Sequence, residues 1–338
     1  MVATLTKLLE INSLTTIFPS PSGIVRAVND VSFSIDSGEV LAVVGESGSG
    51  KSVTALSATR LVAQPPAIIE KGTVLLDGVD LLKLSRSAMR QVLGKRVSML
   101  FQNAFTALHP LIRIGDQLVE PIRLHHRKSR YDAVRHARDL LASVGLPDPQ
   151  GVMNRYAFET TAGDAQRVML AIALAGDPDL LIADEPTSLL DAVAQDEILT
   201  LLKAVQARTG MAVWLITHDF GVVSRMADRV VVMYAGRTVE QGPVNDLLTD
   251  PKHPYSSGLV ASVPKSDAKD RLRQIPGEIP DLTALPSGCS YRPRCERAFA
   301  DCALGLPPMF EVGACRVARC LLYADGFLKG GPDVRAAH

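Results

Sequence analysis

Residues 45 to 52 read Gly-Glu-Ser-Gly-Ser-Gly-Lys-Ser, a run of small residues closed by a lysine and a hydroxyl. Glycines let a backbone curl until successive N–H groups point at one centre, and that centre suits phosphate oxygens. Lys51 can reach the β- and γ-phosphates of a nucleotide, and the Ser52 hydroxyl can ligate Mg²⁺. The apolar run Val40 to Val44 leads into the loop, and a helix-compatible stretch, Val53 to Leu61, leaves it. That order adds the positive end of a helix dipole at the same point. A Gly-Ser turn that binds nothing needs neither the strand nor the helix. Gly45, Ser47, Gly48, Ser49, Gly50, Lys51 and Ser52 are therefore read as a nucleoside triphosphate site.

Other residues have types suited to acting on such a ligand. Leu180 to Glu185 is an apolar run ending in two carboxylates, Asp184 and Glu185. Asp184 can hold Mg²⁺ through water, and Glu185 is then placed to orient or deprotonate an attacking water. His218 closes the apolar run that ends at Ile216, and Gln102 closes the run Val97 to Phe101. His218 can contact a γ-phosphate, while Gln102 can bridge Mg²⁺ and the water. Singly these are ordinary turn residues. With the loop they describe one hydrolytic centre.

Buried parallel strands must position them, because such strands deliver their C-terminal residues to one sheet edge. Leu180 to Ala183 and Ala212 to Ile216 are near-continuous apolar runs, with a helical stretch, Ala192 to Arg208, between them. Ser13 to Phe18, Val31 to Ile35 and Thr73 to Leu76 read as short β segments bounded by turn residues. From about 112 to 176 the pattern turns helical, as in Tyr131 to Val144, where apolar residues recur at three- and four-residue steps. Strands near Val230 to Met233 and Arg237 to Glu240 follow. Beyond Asp250 proline becomes frequent and all five cysteines appear.

The 338 residues suggest roughly two domains. A hydrophobic share of 47% and a charged share of 21% fit a soluble globular chain. Lys plus Arg equals Asp plus Glu, so no basic field points to nucleic acid. The first residues lack a signal peptide's apolar core, and no apolar run is long enough to span a bilayer. The expected location is cytoplasmic unless a partner holds the chain at a membrane.

In this order the motifs resemble the ATP-binding subunits of ABC transporters, over about residues 10 to 245. The resemblance implies an α/β fold with a RecA-like P-loop NTPase core, an antiparallel β subdomain and a helical subdomain at about 103–176. The ATPase domain would span 1–250, and a cysteine-containing extension 251–338. It implies ATP with Mg²⁺, Gln102 as the Q-loop glutamine, Asp184 as the Walker B aspartate and Glu185 as the catalytic glutamate. Ser188 to Asp191 matches the D-loop, His218 the switch histidine, and Phe18 the aromatic residue that stacks on adenine.

One stretch departs from the family. The signature Leu-Ser-Gly-Gly-Gln should precede Gln166-Arg167, but this chain has Thr160-Thr161-Ala162-Gly163-Asp164. In the family, the signature of one subunit caps the γ-phosphate held by the other. Ala162 adds a β-carbon and restricts φ, and Asp164 brings negative charge towards phosphate. A homodimer would carry this weakness in both sites and a heterodimer in one. The expectation is a heterodimer with a second ABC ATPase that supplies a sound signature.

Cys289, Cys295, Cys302, Cys315 and Cys320 fall within 32 residues of chain. A cytosolic protein keeps thiols reduced, so four thiolates point to Zn²⁺ or an iron–sulfur cluster. The spacing C-x5-C-x6-C does not choose between them. This tail is similar to the extension of the oligopeptide/dipeptide/nickel branch of ABC importers, some of whose members bind a [4Fe–4S] cluster. Gly288-Cys289 to Arg294-Cys295 and Pro251-x-His253-Pro254-Tyr255 carry that likeness. It implies Cys289, Cys295, Cys302 and Cys320 as ligands, with Cys315 as the alternative fourth.

The resemblance implies an ATPase energising import of peptides or a related solute at the cytoplasmic face of the inner membrane. Its partners would be a second ATPase subunit, two transmembrane permease subunits and an extracytoplasmic solute-binding protein. Nickel or oligosaccharide import, or an ATP-binding regulatory subunit with little hydrolysis, are the alternatives.

Overall fold

The apolar runs of the sequence become the middle of one sheet. The computed structural model describes residues 6–262 and 274–324. β1 (Lys7–Ser20) and β2 (Gly23–Asp36) form a long antiparallel pair, and β3 (Val40–Val44) enters the glycine loop. α1 (Lys51–Ala58), β4 (Ile68–Leu76), β5 (Val79–Asp80), α2 (Arg86–Val92) and β6 (Val97–Leu100) follow. A helical stretch then runs through α3 (Ala104–Ala107), α4 (Ile114–His126), α5 (Arg130–Ser143), α6 (Pro149–Asn154) and α7 (Ala162–Leu174). Next come β7 (Leu180–Asp184), α8 (Ala192–Thr209), β8 (Ala212–Thr217), α9 (Phe220–Met226), β9 (Arg229–Tyr234), β10 (Arg237–Pro243) and α10 (Val244–Thr249). α11 (Pro254–Ala261), β11 (Phe310–Gly313) and β12 (Arg316–Ala318) belong to the C-terminal part.

Among the described residues the larger sheet has the order β11-β12-β10-β9-β3-β8-β7-β6, and a smaller one the order β2-β1-β4-β5. From β9 to β6 the large sheet is parallel. Its side chains alternate between two cores, as the two-residue strand period requires. Ala42, Val44, Leu181, Ala183, Val213 and Leu215 face the helical layer. Leu41, Val43, Leu180, Ile182, Trp214 and Ile216 face α1 and the small sheet. Both faces are thus covered, which explains why these strands read as unbroken apolar runs. The one tryptophan, Trp214, is fully buried and meets Phe33 edge-on at 5.1 Å.

The C-terminal part is built into this sheet. β12 pairs antiparallel with β10, Glu240 opposite Ala318, and β11 pairs with β12. The sequence pattern shows no strand after Arg237 to Glu240, because these two short strands lie beyond a proline-rich stretch and carry little pattern of their own. Among the described residues no helix is long and apolar enough to cross a membrane.

Candidate active site

Strand order decides which side chains meet. β3, β8, β7 and β6 are consecutive neighbours, in a register that aligns their C-terminal ends: Val44 opposite Thr217, Asp184 opposite Ile216, and Leu100 opposite Ala183. The glycine loop, His218, the pair Asp184–Glu185 and Gln102 therefore emerge side by side. Glu185, His218 and Gln102 line an open cleft of ≈ 580 Å³ with Gly45, Glu46, Ser47, Gly48, Gly50, Lys51 and Ser52.

The loop's shape depends on glycine at two positions. Gly50 has φ +100°, and a β-carbon there would stand 2.3 Å from the Ala27 carbonyl oxygen. A β-carbon on Gly45 would stand 2.2 Å from the Met233 carbonyl oxygen. Lys51 is buried, and its Nζ donates to the carbonyls of Gly45 at 2.8 Å and Glu46 at 3.0 Å. Burial pulls the ammonium below its ordinary pKa, against the raising influence of Glu185, Asp184 and Glu46. A desolvated cation in a glycine-rich loop at the N-terminus of α1 is a site for a polyanion.

Ser52 Oγ donates to Asp184 Oδ1 at 2.9 Å. Asp184 is buried, and burial lifts its pKa despite that hydrogen bond. A hydroxyl and an under-compensated carboxylate facing each other beside a phosphate loop fit Mg²⁺, which would supply the missing charge. Glu185 is held from both sides: Gln102 Nε2 donates to Oε2 at 2.9 Å, and His218 Nδ1 lies 3.1 Å from Oε1. Its backbone takes φ +45°, a region a non-glycine residue rarely adopts, and its N–H is anchored on the Ile216 carbonyl at 2.9 Å. This turn aims the carboxylate into the cleft instead of along the strand.

Gln102, Lys51, Ser52, Asp184, Glu185 and His218 are thus brought together. Phe18 sits partly buried in β1 opposite Val25, outside the residues that line the cleft. Glu46, Tyr255 and Arg294 also belong to the loop's surroundings, and sequence reading missed their connection. The Pro251-x-His253-Pro254-Tyr255 segment was the available signal.

The altered signature has a local structure that corrects one expectation. Ala162 is the first residue of α7, in ordinary helical conformation, so no positive φ is denied to it. Thr161 is the N-cap, its Oγ1 accepting from the Asp164 N–H at 3.1 Å. Asp164 lies in the first turn, where a carboxylate complements the helix dipole. A β-carbon on Gly163 would meet only Ala194, at 4.0 Å.

Cys289, Cys295, Cys302 and Cys320 line one small cavity with Tyr291, Arg292, Arg297, Phe299 and Leu321, while Cys315 is exposed at the β11–β12 turn. Burial pushes the Cys295 thiol up to about 11 and Cys320 to about 12, and neighbouring thiols push the same way. Arg292 Nε is buried there without an acceptor among the described residues. Among these residues no group of three or more His, Cys, Asp or Glu is gathered as a ready metal site.

The family model described as "ABC transporter" matches residues 28–188, and "Oligopeptide/dipeptide transporter, C-terminal region" matches 239–302. A putative peptide import ATP-binding protein of Brucella melitensis is 43% identical over 94% of this chain and 98% of its own length. The oligopeptide transport ATP-binding protein OppD of Bacillus subtilis is 44% identical over 91% of this chain and 86% of its own. Among solved structures, the dimeric bacterial ABC transporter cassette MJ0796 aligns with a TM-score of 0.63 at 25% identity, covering 70% of this chain and 98% of its own. CbiO1 of Clostridium perfringens aligns at 0.60 and 23% identity, covering 72% and 91%, a likeness of fold. With its phosphate loop, paired carboxylates and C-terminal region all matched, the chain belongs to the ATP-binding proteins of ABC transporters, in the oligopeptide/dipeptide branch.

Proposed function

We propose that the chain is the ATPase subunit that energises a peptide importer. The observation that carries this reading is the Glu185 carboxylate, held between Gln102 and His218 in the cleft that Lys51 and Ser52 also line. Loop N–H groups and Lys51 bind the β- and γ-phosphates. Ser52, Asp184 and Gln102 would hold Mg²⁺, which would offset phosphate charge. Glu185 orients a water and takes its proton, with Gln102 and His218 fixing the carboxylate. Phe18 is proposed to stack on the adenine. Peptide as the solute follows the relatives' names. Proteoliposomes holding the assembled transporter test it: labelled peptide should accumulate only with ATP and with intact Lys51. Accumulation in a Lys51→Ala complex would refute it.

The site is half of a catalytic centre in this reading. Leu189 within the D-loop match and Val193 just after it stand 59% and 70% exposed, apolar surface that suits closure against a second ATPase. The altered Thr161 to Asp164 stretch supports a heterodimer in which the site on Lys51 and Glu185 is the active one. Phe105, Leu111 and Ile112, exposed after Gln102, suit docking on transmembrane permease subunits. An extracytoplasmic solute-binding protein completes the set, and the chain lies on the cytoplasmic face of the inner membrane.

The cysteine cavity is proposed to hold a [4Fe–4S] cluster on Cys289, Cys295, Cys302 and Cys320. Burial makes Cys289, Cys295 and Cys320 costly as thiolates unless a metal compensates them, and Cys302 lines the same pocket. The unpartnered Arg292 Nε suits an anionic metal–thiolate centre. Iron and sulfide analysis after anaerobic purification tests it. Stoichiometric zinc without iron would sink the cluster reading.

A further inference from the structure

Glu46, the second residue of the phosphate loop, is gripped at every polar group. Its N–H donates to Tyr255 Oη at 2.8 Å. Its carbonyl accepts from Lys51 Nζ at 3.0 Å. Its carboxylate accepts two hydrogen bonds from Arg294, NH1 to Oε2 at 2.7 Å and NH2 to Oε1 at 2.9 Å. Two of these partners come from the C-terminal part. Tyr255 is fully buried in α11, whose N-cap, His253, accepts the Tyr255 N–H through Nδ1 at 3.0 Å. Arg294 is 8% exposed and lies in the turn between Cys289 and Cys295. Its Nε donates to the Pro276 carbonyl at 2.7 Å, and its guanidinium lies over the Tyr234 ring, 5.7 Å from the centroid. The rings of Tyr234, Tyr255 and Tyr291 pack together with centroids 4.6 to 5.3 Å apart. The grip is therefore preorganised on a rigid aromatic base.

A carboxylate beside bound phosphates repels them. A bidentate arginine both fixes such a carboxylate and neutralises it. We propose that Arg294 and Tyr255 are positioning residues for ATP binding, holding the phosphate loop through Glu46 and masking its charge from the triphosphate. Neither touches the reacting atoms. The proposal rests on the phosphate loop being the ATP site.

The test is ATP hydrolysis by the assembled transporter, with KM and kcat separated. Arg294→Gln leaves the Glu46 charge unmasked, so KM for ATP should rise about tenfold while kcat changes less than about threefold. Adding Glu46→Gln removes the charge and should recover most of the loss, a rescue that a merely structural arginine would not give. Tyr255→Phe removes one oxygen and keeps the ring packing. It should raise KM by about threefold, and it carries the test if Arg294→Gln does not fold. KM within twofold of the parent in the folded variants, or a double variant as impaired as Arg294→Gln, would overturn the proposal. Lys51→Ala separates the two levels. If it still binds a fluorescent ATP analogue normally, the ATP site itself is misassigned. If it loses binding while the Arg294 and Tyr255 variants behave as the parent, only the positioning role fails.

Discussion

Replacing Glu185 by glutamine changes one oxygen to an amide and removes a negative charge. The side chain keeps its size, so the left-handed turn at φ +45° and the anchor on the Ile216 carbonyl survive. Gln102 can still donate to the remaining oxygen, as it now does at 2.9 Å. What disappears is the base. General-base assistance contributes about 10²–10⁴ in rate, or roughly 3–5 kcal/mol of barrier. ATP binding should survive or tighten, since Lys51 and the loop are untouched and a charge facing the γ-phosphate is gone. The assay is ATP turnover by the reconstituted complex beside nucleotide binding at equilibrium. The expected result is at least a hundredfold loss of turnover with binding retained, because the opposite site relies on the altered Thr161 to Asp164 stretch. Loss of only half the activity would refute the asymmetry, with both sites working. Retention of most activity would refute Glu185 as the base.

Other outcomes follow from the same geometry. Gly163→Ala should leave stability within about 1 kcal/mol of the parent, since its β-carbon meets only Ala194 at 4.0 Å, yet it should weaken ATP-dependent pairing with the second subunit; thermal denaturation and crosslinking separate the two effects. Gly50→Ala should abolish ATP binding, because its β-carbon meets the Ala27 carbonyl oxygen at 2.3 Å in a left-handed backbone. Cys320→Ser should reduce bound iron and Cys315→Ser should not; equal iron content in both would contradict the ligand set. Trp214→Ala should cost about 3–5 kcal/mol in chemical denaturation. Trp214→Phe should cost less, because the indole N–H it removes is buried without a partner among the described residues.

The phosphate loop, Asp184, Glu185, His218 and Gln102 were legible because each signal is local: an apolar run, then a polar residue. The parallel sheet converts that one-dimensional pattern into a cluster. The grip on Glu46 was not legible, since Arg294 lies 248 residues from it and is an ordinary arginine in its own segment. The helical start at Ala162 was not legible for another reason: the family's signature glycine implied a φ restriction on alanine, but Thr161 caps a regular helix there and no such restriction arises. β11 and β12 escaped notice because strands of four and three residues are defined by their partner β10 and not by their own periodicity.

Peptide uptake into proteoliposomes, with ATP supplied on the side that holds this chain, tests the central claim most directly. The expected result is uptake that requires ATP and stops with Glu185→Gln in this subunit, although nucleotide remains bound. Peptide accumulation that continues undiminished in the Glu185→Gln complex would contradict it.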